Sequence, residues 1–165
     1  MHPESLETTL ITDLSIRPLS LRLKGDEILR KRCESVNSFT TELDAFLNEI
    51  LTLMRVHGGI GLAAPQIGIG LRTIVAEMNG HAIVLTNPEI VSASDNLEIM
   101  EEGCLSIPND RYEVERPLFI EVKARTASGG RLHFEADGLF ARVLQHEIDH
   151  LDGVLICDKN GGNKC

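Results

Sequence analysis

The sequence predicts an α+β fold: antiparallel β-sheets packed around a C-terminal helix, with an amphipathic helix on the N-terminal side. Three observations lead there. Apolar residues recur at helical spacing from Leu43 to Met54, Asn79-Gly80 joins two β-rich runs, and a last helical stretch carries His146-Glu147-Ile148-Asp149-His150. With the strands gathered ahead of the long last helix, the order is not the alternating β-α succession of a parallel sheet.

Residues 1–15 are polar and mixed, and are expected to form a flexible extension or a first edge strand. Gly25-Asp26 opens a segment, 28–36, too irregular to assign. Thr40-Thr41-Glu42 then supplies capping groups. Leu43, Phe46, Leu47, Ile50, Leu51 and Met54 follow as one apolar stripe, stopped at Gly58-Gly59. That stripe is core, and it carries no chemistry. The glycine-rich stretch Gly59-Ile60-Gly61-Leu62-Ala63-Ala64-Pro65-Gln66-Ile67-Gly68 permits close backbone approach. It lacks the lysine and hydroxyl residue of a phosphate loop, so it reads as a tight connection packed under a helix. The Gln66 amide at its end could donate to a developing oxyanion.

Residues 72–78 and 81–86 form a hairpin about Asn79-Gly80, because both central positions of a type I′ turn need positive φ. A second pairing is expected between 118–126 and 131–135, around Ser128-Gly129-Gly130. The stretch Glu101-Glu102-Gly103-Cys104-Leu105-Ser106-Ile107-Pro108 between the hairpins reads as a loop. Asp137-Gly138 supplies the N-cap and Gly153 the stop of a helix running through about Leu151. Leu139 and Val143 precede His146 and His150 on one stripe, which turns the histidines inward.

At 165 residues the chain suits one domain, 1–165, with 158–165 as a short tail. With 42% hydrophobic residues, no tryptophan and one tyrosine, the core must be largely aliphatic. A net charge of -9 argues against a nucleic-acid surface, which needs clustered lysine and arginine. No apolar run reaches the ~20 residues of a membrane span, and the acidic N-terminus does not resemble a secretory signal. The four cysteines show no C-x-x-C pattern, so reduced thiols in a cytoplasm are expected.

Histidines at i and i+4 share one helical face and can reach one ion, while Glu147 is turned aside, within reach of that ion's water. Two imidazoles leave a metal short of a ligand. Only Asp152, Cys157, Asp158 and Cys165 follow the helix, in a short tail. Cys104 is the better candidate, since a thiolate beside two imidazoles suits a borderline divalent ion. Taken by itself, however, a buried cysteine is more often a small apolar filler.

Three stretches together resemble the peptide deformylase family: Gly59-Ile60-Gly61-Leu62-Ala63-Ala64-Pro65-Gln66, Glu102-Gly103-Cys104-Leu105-Ser106, and Gln145-His146-Glu147-Ile148-Asp149-His150. Their order and separations fit, and the resemblance spans roughly 28–157. It implies a divalent metal held by Cys104, His146 and His150, ferrous iron in the cell, with zinc, nickel or cobalt in a purified sample. It implies Glu147 as general base and then acid in removing the formyl group of an N-formylmethionyl peptide. Gln66 and the Leu105 N–H would steady charge on the formyl oxygen, and Gly61 would lend backbone contacts to the substrate. Ile60, Met100, Leu139 and Val143 are candidates for the methionine pocket, with the Arg142 stem at its rim. Glu102 and Arg116 are candidates to orient the ligands, although Arg116 taken by itself is more often a plain surface ion pair.

The expected partners are N-formylmethionyl nascent peptides and, transiently, the neighbourhood of the ribosome, with neither nucleic acid nor membrane. Many bacterial members continue into a C-terminal helix that residues 158–165 do not resemble, so nothing that helix does is carried over. The expected location is the cytoplasm, or an organelle interior if a transit peptide is removed. Two other readings share the residues. A zincin-like endopeptidase would cut internal bonds and take its third ligand downstream. An inactive binding module would lack a ligand or the acid/base, and no such position is missing.

Overall fold

The structure is a computed structural model in which residues 19–159 and Cys165 are described. Expectations for residues 1–15, and for most of the tail, lie outside that range. The first helix, α1 (Thr41–Val56), starts where Thr40 Oγ1 accepts the Leu43 N–H at 3.3 Å, and Gly58 follows its end. Its buried stripe of Leu43, Phe46, Leu47, Ile50, Leu51 and Met54 packs on Leu62, Ile67 and Val75. Thr40→Ala, which removes the capping oxygen, should lower stability by about 1 kcal/mol. Urea unfolding should show a lower midpoint with an unchanged slope.

Five antiparallel strands form one sheet in the order β1 (Gly61–Ala63), β2 (Thr73–Met78), β3 (His81–Ala93), β6 (Phe119–Arg125), β7 (Arg131–Asp137). Strands β4 (Leu97–Cys104) and β5 (Ile107–Pro117) form a separate two-stranded hairpin. Asn79 and Gly80, at φ 52° and 77°, make the β2–β3 turn with the positive φ values that a type I′ turn demands.

The second helix, α2 (Gly138–Leu151), packs on β1, β2, β3, β6 and β7 and also touches β5. Side-chain alternation in β1 and β2 divides the sheet between the helices. Leu62 and its register partner Val75 join the α1 core, whereas Ala63 and its partner Ile74 join the α2 core. Gly61, two residues from Ala63, shares the α2 face. Small residues there let the helix approach closely.

Several expectations are corrected. The glycine-rich stretch is not wholly a connection: Gly61–Ala63 pairs with β2, and Ala64–Ile67 is a 3₁₀ turn. Cys104 does not lie in a loop but ends β4, and its hairpin turns at Leu105-Ser106. That hairpin escapes a pattern search because its residues are mostly exposed, many of them charged, and its turn has neither glycine nor asparagine. Strand β3 runs on to Ala93 through an irregularity at Asn87, and residues Glu27–Arg30 form a 3₁₀ turn. Leu139 is 47% exposed, so it does not share the inward stripe with Val143. Asp137 occupies the N-cap without a side-chain bond. Cys157 and Cys165 are joined as a disulfide, with Cα atoms 5.8 Å apart, leaving Cys33 and Cys104 free. Among the described residues no helix is long and apolar enough to cross a membrane.

Candidate active site

Three elements meet at the site: the end of β4, the middle of α2, and the β1–3₁₀ segment. The register between β4 and β5 shifts between Gly103 and Cys104, an irregularity of the kind that re-aims a side chain. Cys104 thereby meets two histidines one helical turn apart. Its Sγ and one nitrogen each of His146 and His150 all lie within 4.8 Å of one another, with Sγ 3.3 Å from His150 Nε2.

A buried ionic group holds this arrangement. Glu102 Oε2 lies 3.0 Å from His146 Nδ1, which leaves the other ring nitrogen for the cluster. Arg116 donates to both Glu102 oxygens, at 2.6 and 2.9 Å, and Arg142 donates to Oε1 at 2.7 Å. Arg116 also bonds Asp149 at 2.7 Å. Burial would raise the Glu102 carboxyl, but its bonds to His146 and Arg116 win and hold it well below the usual carboxylate range. Arg116 is only 2% exposed, so it is no surface ion pair. Glu102→Ala would leave buried Arg142 without a carboxylate and Arg116 with Asp149 alone, a change expected to destabilise the fold by about 4 kcal/mol. Urea unfolding of the metal-free protein would measure that loss.

Glu147 is buried beside the ligands, and its Oε2 has no hydrogen-bond partner among the described residues. Burial pushes its carboxyl up to about 7, the range in which a group can both take and return a proton near neutrality. Burial holds His150 well below its ordinary value, as the neutral imidazole a metal ligand requires. A Cβ on Gly61 would fall 2.9 Å from both Cγ and Cδ of Glu147, so glycine is what lets β1 lie against the carboxylate.

Gln66 is clamped at both ends of its amide. Its Oε1 accepts the Ala63 N–H at 2.9 Å, and its Nε2 donates to Ser106 Oγ at 3.1 Å. Cys104 Sγ lies 3.6 Å from the same Nε2. Leu105 sits in the turn between these residues. Ser106, fully buried against Gln66, is a position that sequence reasoning did not single out, since a serine beside a turn carries no signal of what it faces.

The pocket candidates divide. Ile60, Met100 and Leu139 are 49%, 38% and 47% exposed, whereas Val143 packs into the α2 core. Arg142 is not at a rim. Its guanidinium is buried and bonds Glu102, Val114 O and Glu98 O.

The donor set fits a divalent ion: one thiol and two imidazoles from separate elements converge, and the carboxylate behind His146 fixes that ring. The other close grouping, Cys157, Asp158 and Cys165, is closed by its own disulfide and by the Arg30–Asp158 ion pair.

The sequence matches the Polypeptide deformylase family over residues 18–164. It is 43% identical over 140 residues to "Peptide deformylase 1" of Clostridium acetobutylicum, covering 85% of this chain and 93% of that one. It is 42% identical to "Peptide deformylase" of Thermotoga neapolitana, covering 84% and 85%. Among solved structures, peptide deformylase from Thermotoga maritima superposes with a TM-score of 0.86 at 39% identity, covering 88% of this chain and 99% of that one. The Synechococcus elongatus peptide deformylase in complex with actinonin gives 0.84 at 43% identity, covering 87% and 79%.

Proposed function

The chain belongs to the polypeptide deformylase family, which removes the formyl group from the N-terminal methionine of new polypeptides, and we propose how its residues perform that hydrolysis. Cys104, His146 and His150 would hold the metal, and Glu147 moves the protons. The observation that carries this reading is the convergence of the three donors within 4.8 Å, beside a buried carboxylate that has an unpartnered oxygen.

A divalent ion held there would acidify water and polarise the formyl carbonyl. Glu147 takes a proton from water as the oxygen attacks the formyl carbon. It returns that proton to the departing nitrogen as the C–N bond breaks, giving formate and a free amine. Negative charge gathers on the formyl oxygen during the attack. The Gln66 Nε2–H now facing Cys104 and the Leu105 N–H can donate to it, and Ser106 and Ala63 keep the Gln66 amide from turning away.

Among the described residues, strand β1 lies at the edge of its sheet. An extended peptide could pair with its open side at Gly61, by strand addition. Ile60, Met100 and Leu139 offer exposed apolar surface for the methionine side chain, with Val143 behind them. A thiolate with two imidazoles suits borderline ions, and we assign ferrous iron as the ion in the cell, replaceable by Zn2+, Ni2+ or Co2+. Because its substrate is the N-terminus of a new chain, the enzyme would meet it near the ribosome.

The test is formate release from formyl-Met-Ala-Ser by protein reconstituted anaerobically with Fe(II), with mass spectrometry of the products. Formate together with an intact Met-Ala-Ser is the expected result. Chelation should abolish it and Fe(II) restore it. Cleavage of internal bonds, or no turnover by a fully loaded site, would overturn the reading.

A further inference from the structure

Arg142 is 5% exposed and bonds acceptors on both strands of the β4–β5 hairpin. Nη2 donates to Glu98 O at 2.7 Å, and Nη1 donates to Val114 O at 2.9 Å and to Glu102 Oε1 at 2.7 Å. These anchors share one centre. Glu98 and Glu102 lie two residues either side of Met100, on the same face of the strand, and Val114 is its cross-strand partner. The guanidinium therefore fixes the strand position that carries Met100 to the helix that carries Leu139 and Val143.

We infer that Arg142 is a positioning residue that sets the gap between α2 and the β4–β5 hairpin, and through it the side-chain selectivity of the methionine pocket. The planar fork makes this role specific to arginine. Its donors diverge in fixed directions and span acceptors on two strands at once, whereas an ammonium is a compact point charge on a flexible stem. Through Glu102 the same guanidinium braces the carboxylate behind His146, so pocket width and ligand orientation share one support.

The inference rests on the proposed pocket. Formate release by the wild type tests that reading, and the selectivity of Arg142 variants tests the inference. In Arg142→Lys, kcat/KM should fall more for formyl-Met-Ala-Ser than for formyl-Phe-Ala-Ser, narrowing their ratio by about tenfold, chiefly through KM. Rates are taken per bound metal, so altered loading does not enter. In the Met100→Ala background, the same substitution should leave the ratio unchanged, because it acts through Met100. An equal fall for both substrates, or additive effects in the double variant, would overturn the inference. Arg142→Gln, which keeps a donor without burying an unpaired ammonium, is read the same way should the lysine variant fail to fold.

Discussion

Replacing Glu147 with glutamine should lower kcat for formate release by about 10³-fold while the metal stays bound. The amide matches the carboxylate in shape but cannot accept the proton of the attacking water. Because Glu147 Oε2 has no partner among the described residues, the exchange breaks no hydrogen bond to that oxygen. Burial disfavours the carboxylate, so glutamine should leave stability equal or higher. Single-turnover formate release, metal analysis and urea unfolding of the same sample separate these effects. Metal lost along with activity would make Glu147 a support of the ligands rather than the proton carrier.

Gly61→Ala should lower kcat by about 10²-fold, since displacement of a catalytic group by ~1 Å is enough for such a loss. The added methyl would lie 2.9 Å from Cγ and Cδ of Glu147, closer than real contacts allow. Strand β1 is tied to β2 through the Gly61–Ala76 pair and cannot retreat freely, so the carboxylate must move. The fold should survive with a penalty of about 1–3 kcal/mol, typical of overpacking. Circular dichroism and metal content should match the wild type. Unchanged kcat would show that Glu147 has room to adjust. A fall confined to KM would assign Gly61 to peptide pairing alone.

Both helices and both hairpins with regular turns can be read from the chain, because their signals are local. Thr40 caps three residues ahead, the α1 stripe repeats on its own helix, and Asn79-Gly80 needs only its own φ values. The β4–β5 hairpin is not legible in this way. Its strands carry Glu98, Glu101, Glu113 and Glu115 toward solvent, and Glu102 and Arg116 are buried only because they meet each other and α2. A pattern search takes such residues for a solvated loop.

The chemistry available is legible in the chain alone: two histidines at i and i+4, the glutamate between them, and a cysteine and a glutamine in stretches that fit one family. Those follow from residue type and helical spacing. Packing in three dimensions is what leaves room at Gly61 for Glu147, sets Ser106 to hold Gln66, and makes Arg142 brace the hairpin instead of lining a rim. Each of these joins residues 28 or more positions apart, through contacts of a few ångströms. Periodicity along one segment carries no information about such contacts, which arise when the α2 face closes on β1 and the hairpin.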